Sequence, residues 1–153
     1  MAESQNFKEL LLLLNDCHVE YLIVQGYAVM RYTEPRFTKD LDIWVGNSPE
    51  NSGRVFAALA RFGAPLRNDG VTDKTFSVEQ TVYQIGVPPV RVDIMTSISG
   101  CTFSDAWSRR VPGVMFGALV RFISLPDLIP NKKATGRTSD LEHIGLLEDQ
   151  ESA

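Results

Sequence analysis

Apolar residues recur along this chain in two rhythms, one helical and one of strands. Between Asn6 and Cys17, Phe7, Leu10, Leu11 and Leu14 fall three and four apart, which predicts an amphipathic helix. Tyr21 to Val24 is a short unbroken apolar run, the pattern of a buried strand, and Gly26 is expected to open the turn after it. Ala28 to Tyr32 can form a short helix that Pro35 prevents from continuing. Asp40 to Val45 (DLDIWV) then alternates strictly, Leu41, Ile43 and Val45 on one face and Asp40, Asp42 and Trp44 on the other. Ser48 as N-cap with Pro49 at the first helical position starts a helix through Val55, Phe56, Leu59 and Phe62, and Gly63 stops it.

The second half repeats the interleaving less regularly. Arg67 to Lys74 is turn-rich, and Thr75 to Ile85 alternates loosely, as a strand that is broken along its length. Gly86 to Pro89 connects to a strand over Val90 to Met95 (VRVDIM). There Val92 and Ile94 share one face, and Arg91, Asp93 and Met95 the other. A short helix is expected at Thr102 to Trp107 with Ser104 as cap, and Trp107 is assigned to the core. A turn plus strand is expected over Pro112 to Leu119, and a last strand over Val120 to Ser124. Leu125-Pro126-Asp127 starts a helix reaching Lys133 or Ala134, a final helix runs from Thr138 to about Leu147, and a frayed tail follows Asp149. Alternating strands and helices without repeats or linkers predict a single α/β (α+β) domain over 1–153, core 6–147, with a mixed sheet flanked by helices.

Composition changes this picture little. The chain has 153 residues, 44% hydrophobic and 22% charged, with a net charge of −4, so no global basic footprint of a nucleic-acid binder is present. Cys17 and Cys101 lack metal or disulfide spacing and are expected as buried free thiols. No apolar run approaches the roughly 20 residues of a membrane span, and Leu10 to Leu14 is too short for a signal core. The expected location is the cytoplasm, with no membrane partner.

The chemistry concentrates in the strand carboxylates. Two like charges about 4 Å apart repel by roughly 4 kcal/mol at an effective dielectric near 20, so Asp40 and Asp42, side by side on one face, need compensation. If the Asp93 strand lies beside them, three carboxylates converge on one side of one sheet without an obvious basic cage. A hard cation, Mg²⁺ with a polyphosphate, suits such a set. The bland alternative is that each Asp is solvated or paired with Arg31, Arg36, Lys39 or Arg91. Trp44, on the same face, either packs under a helix, the favoured account, or stacks on a base.

Gly26, thirteen residues, Asp40-Leu41-Asp42, and a later Asp93 on a strand resemble the nucleotidyltransferase superfamily that includes DNA polymerase beta and the minimal nucleotidyltransferases. FTKDLDIWV, the Ser48-Pro-Glu-Asn helix start, and Lys132, Lys133, Arg137 and Asp140 near the end look most like its AbiEii-type toxin branch. The resemblance spans about Tyr21 to Leu147. It implies a nucleotidyltransferase fold and Mg²⁺-dependent transfer of an NMP from an NTP to a hydroxyl of RNA, a protein or a small molecule. By the same resemblance, Asp40 and Asp42 would hold Mg²⁺ against the nucleotide phosphates, and Asp93 would bind a second metal and help to deprotonate the acceptor. Lys132 and Asp140 would complete the catalytic set. Gly26, Tyr27, Lys39, Lys133 and Arg137 would bind the nucleotide. A cognate antitoxin and a homodimer are implied partners, the latter to supply the acceptor-site wall that larger relatives build from an added helical domain.

Where relatives carry Gly-Gly or Gly-Ser, this chain has Gln25-Gly26. That side chain either narrows the triphosphate turn or points into the sheet. Two other functions stay open on this ground: an inactive nucleotidyltransferase-fold module that binds a partner, and an antibiotic-type small-molecule nucleotidyltransferase.

Overall fold

The computed structural model describes residues 2–33, 40–86, 91–135 and 144–149. In chain order these form α1 (Ala2–Asp16), β1 (Tyr21–Val24), α2 (Gln25–Tyr32), β2 (Asp40–Val45) and α3 (Pro49–Phe62). They continue with a 3-10 turn (Thr75–Ser77), β3 (Val82–Ile85), β4 (Arg91–Met95), α4 (Phe103–Ser108), β5 (Val111–Met115), β6 (Ala118–Phe122) and α5 (Leu125–Thr135). Residues 144–149 are helical. No helix among the described residues is long and apolar enough to cross a membrane.

The six strands form one mixed sheet in the order β3-β4-β2-β1-β6-β5. β2 pairs parallel with β4 and antiparallel with β1, and β1 pairs parallel with β6. Two antiparallel hairpins, β3–β4 and β5–β6, close the sheet's edges. The second turns through Phe116 and Gly117, both at positive φ (53° and 80°), the geometry that matches the twist of the flanking strands.

Period-two alternation decides which face each residue serves. Ile23, Leu41, Ile43, Val45, Val92 and Ile94 are buried against Phe7, Leu10 and Leu14 of α1 and Val55 and Leu59 of α3. The opposite residues Leu22, Val24 and Trp44 form a smaller cluster with Ala28 and Val29 of α2, Ala106 of α4, and Leu128 and Ile129 of α5. The first cluster seals one side of the sheet. The second covers only part of the other, and the carboxylates lie on that side.

Local signals placed most elements. Ser48 caps α3 by accepting from the Asn51 amide at 3.1 Å, Pro49 sits at its start, and Gly63 ends it in the left-handed region. Asn51 then binds the Glu20 and Gly46 carbonyls at 3.0 and 2.7 Å, tying α3 to the ends of β1 and β2. Ser124 and Asp127 make a reciprocal start for α5, the Ser124 hydroxyl donating to Asp127 Oδ2 at 2.9 Å.

Several expectations need correction. Thr75 to Ile85 is not one strand: residues 75–77 are 3-10 and only Val82–Ile85 pair. The α4 cap is Thr102, not Ser104. Trp107 is half-buried rather than core, with the Arg110 guanidinium 4.2 Å from its ring centre. Cys17 and Cys101 are free, as expected, but only half-buried. The expected helix start at Thr138, the connection over 87–89 and the tail from residue 150 lie wholly or mostly outside the described residues.

Candidate active site

β1 runs into α2 without an intervening turn, so Gly26 is the second residue of a helix rather than the opening of a loop. The sharp change of direction falls on Gln25, whose φ is +61°. Left-handed backbone costs an L-residue on the order of 1–2 kcal/mol, and such strain persists only where surrounding contacts enforce it. One such contact is visible: Gln25 Oε1 accepts a hydrogen bond from Lys132 Nζ of α5 at 3.2 Å.

The β2–β4 register places the acids. In this parallel pair Asp42 stands opposite Asp93, and Asp40 opposite Arg91. Val24, the last residue of β1, stands opposite Asp42 on the other side, so the strained Gln25 emerges beside the carboxylates. Asp40 and Asp42 are half-buried, and Asp93 is 7% exposed with Oδ1 buried and without a hydrogen-bond partner.

The Asp42 carboxyl is pushed up to about 7, first by burial, then by the negative charges of Asp93 and Asp40 and a hydrogen bond shared with Asp93. Arg91 pulls the other way but offsets these effects only in part. For Asp40 and Asp93 this is the pairing with Arg91 that the alternative to a metal anticipated: Nη2 lies 3.2 Å from Oδ2 of both. As they stand, the acids gather around this guanidinium, and among the described residues no group of three His, Cys, Asp or Glu is arranged as a metal cage.

The donor set nevertheless fits a hard divalent cation in kind. It is all carboxylate oxygen, it includes an orphaned buried Oδ1 on Asp93, and Asp42 is held among burial and like charge that Arg91 offsets only in part.

The other expected site residues divide sharply. Lys132 is buried, 3% exposed, and directed to Gln25. Lys133, one residue on and rotated about 100° around the helix, is exposed and pairs with Glu148 at 3.4 Å. Tyr27 packs its ring against Phe7 and Phe116, 6.2 and 5.6 Å between centroids, toward the sealed side of the sheet. Trp44 is 1% exposed and meets Phe103 edge-on at 5.1 Å, as the packing alternative required. Lys39, Arg36, Arg137 and Asp140 lie outside the described residues.

Sequence reasoning missed two neighbours. Asn131 is 1% exposed, donates to the Ser99 carbonyl at 2.8 Å and keeps Oδ1 unpartnered. Together with Gln25, Met95 and Ser97 it lines a cavity of about 500 Å³. Gly100 explains how the loop after β4 comes so close to α5: a Cβ there would lie 2.7 Å from the Pro130 carbonyl oxygen. The glycine was the one available signal, and it did not say what it approached.

No protein-family model matches the sequence, and no curated protein matches it. Among solved structures, the antibiotic-resistance factor ANT(2'')-Ia, studied in solution for its substrate-regulated conformational dynamics, superposes with a TM-score of 0.58. The match covers 95% of this chain and 82% of that one at 16% sequence identity. At that identity the likeness speaks for the fold alone, and with the six-stranded mixed sheet and its flanking helices it establishes a nucleotidyltransferase-like α+β fold for this chain.

Proposed function

We propose that this protein is a Mg²⁺-dependent nucleotidyltransferase that transfers an NMP from an NTP to a hydroxyl acceptor. The observation that carries this is the β2–β4 register, which sets Asp42 against Asp93 and Asp40 one step away, all beside the strained β1–α2 junction.

In this function Asp40 and Asp42 would hold a divalent ion against the nucleotide phosphates and Asp93 would hold a second, and the bound metal would supply charge screening for an in-line displacement. Asp93 would also help to take the acceptor hydroxyl's proton, as the resemblance implies. The hydroxyl oxygen then bonds to the α-phosphorus as the bond to the β-phosphate oxygen breaks and pyrophosphate leaves. The buried Lys132 ammonium, held at the β1–α2 junction by Gln25, supplies countercharge to the phosphates. Lys39, Arg137 and Asp140 are proposed to act from the adjoining segments, as the resemblance implies. Lys133, paired with Glu148, is a weaker candidate than Lys132.

Among acceptors we place a small hydroxylated molecule first. One solved structure of similar fold is that of an antibiotic-resistance factor, and a net charge of −4 opposes long nucleic acids, whose phosphates demand many cations. An AbiEii-like toxin acting with a cognate antitoxin is the variant of this function that the order of Asp40, Asp42, Asp93, Lys132, Arg137 and Asp140 supports.

One competing function has its own observation. Gln25 puts a side chain where the family pattern has glycine and ties up Lys132, as an inactive, partner-binding relative would. The two separate on one experiment. Wild type and Asp42→Asn are incubated with each labelled NTP, with and without Mg²⁺, and binding and pyrophosphate release are followed. Metal-dependent binding lost in the variant is expected. Absence of binding to every NTP would sink the enzyme function and favour the inactive module.

A further inference from the structure

The carboxylate face carries a cation of its own, because Arg91 stands across from Asp40 and two residues before Asp93 on the same strand. One nitrogen, Nη2, is shared between the two acids at 3.2 Å each. The rest of the group is poorly satisfied: Arg91 Nε is buried and has no hydrogen-bond partner, and neither has Asp93 Oδ1.

The Arg109–Asp127 pair shows what a fitted ion pair looks like in the same molecule. There Nε reaches Oδ2 at 3.0 Å and Nη2 reaches Oδ1 at 2.8 Å, a planar two-pronged contact. Ser124 satisfies Asp127 further at 2.9 Å. Arg109 is matched to one acid. Arg91 is stretched between two and matches neither.

We propose that Arg91 is the resident occupant of the cation position, offsetting part of the charge of Asp40 and Asp93 until a divalent ion displaces it. This rests on the metal-binding function proposed above. A guanidinium offers one charge at 3.2 Å, whereas Mg²⁺ offers two at about 2.1 Å from its oxygen ligands. The ion therefore prevails, but with an affinity reduced by the contacts it must break. The Arg91 side chain is 30% exposed, so the displaced guanidinium has room to turn toward solvent. There its donors suit polyphosphate oxygens, which makes metal entry easier when the triphosphate arrives with it. Arg91 is thus a positioning residue that sets the threshold for metal and couples it to phosphate.

The test is a Mn²⁺ titration of the full chain without nucleotide, followed by the electron paramagnetic resonance signal of the free ion. Wild type, Arg91→Gln and Arg91→Lys are compared, with circular dichroism as the check on folding. Arg91→Gln is expected to bind Mn²⁺ about tenfold more tightly, the order of one charge-assisted hydrogen bond. Arg91→Lys, with the charge but not the fork, should fall between. Mn²⁺ should also raise the melting temperature of Arg91→Gln more than that of wild type, because the metal-free variant holds three uncompensated acids. Equal or weaker binding by folded Arg91→Gln overturns the proposal. Should that variant fail to fold, Arg91→Lys decides alone, tighter binding supporting the proposal and equal or weaker binding overturning it. No Mn²⁺ binding by any of the three proteins overturns the metal-dependent function itself, and Arg91's role with it.

Discussion

The two faces of β2 differ most over its first four residues, Asp40 to Ile43, before Trp44 returns to the core. Leu41, Ile43 and Val45 face α1 and α3, fully buried among aliphatic and aromatic side chains. Asp40 and Asp42, interleaved with them, crowd against Asp93 and share Arg91. One face stores the stability of the fold, and the other spends some of it by holding like charges together. Natural proteins concede stability in this way at functional sites. The difference teaches that a single strand can be judged one residue at a time, by the face it serves.

Mutation should break that comparison most visibly at Asp42. Asp42→Asn is expected to lower NTP-dependent pyrophosphate release by at least about a thousandfold, in keeping with the several kcal/mol a bound metal contributes to transition-state charge stabilisation. In metal-free buffer the same variant should resist urea better than wild type by about 1–2 kcal/mol at pH 8, since it removes one of three crowded charges. Its neighbour should behave in the reverse sense. Ile43→Ala should cost about 3 kcal/mol in urea unfolding, because Ile43 is fully buried and truncation leaves a cavity. Its Mn²⁺ affinity, measured at a temperature where it remains folded, should change less than threefold, well under 1 kcal/mol. An Ile43→Ala protein that loses metal binding while folded would show the two faces to be coupled rather than separate.

pH sharpens the contrast without mutation. Asp42 has a folded-state value near 7 against 3.8 unfolded, so between these the folded protein holds the extra proton. Stability is then greatest below about pH 4 as far as this group is concerned. It falls as pH rises toward 7 and is flat above. In metal-free protein the decline from pH 5 to 8 should reach about 1–3 kcal/mol, allowing for the partial exposure of the site. Asp42→Asn should remove this slope, and a slope that survives the substitution assigns it to another group.

The smallest expected effect concerns Gln25. Gln25→Gly and Gln25→Ala both remove the acceptor for Lys132, but only alanine keeps the strain at φ +61°. The glycine variant should be the more stable of the two by about 1 kcal/mol in urea melts. Equal stabilities would mean that the junction relaxes when the side chain is lost.

Much of this molecule was legible before any coordinate. The alternation assigned Asp40–Val45 and Arg91–Met95 to their faces, because side-chain period in a strand is a local property of the backbone. Ser48, Pro49 and Gly63 bounded α3 for the same kind of reason, since caps act within one turn. Tyr21–Val24 was a strand by composition alone. What failed was equally local in origin. Gly26 drew attention as the turn residue because glycine tolerates positive φ most readily, yet the turn fell on Gln25, held by a contact to a lysine 107 positions away.

Only tertiary structure decided the rest. The sequence placed Asp93 on a strand but left open which strand would lie beside it. The parallel β2–β4 pairing, and the step that sets Asp42 against Asp93 and Asp40 against Arg91, arise from how the helices and hairpins pack. It likewise chose Lys132 over Lys133 for the β1–α2 junction, a matter of one helical step of rotation. The pattern of residues determined that there would be carboxylates on one face of a buried strand. The fold determined that Arg91, already on the face of Asp93, would also stand against Asp40, because neighbours across strands are set by the register of distant segments.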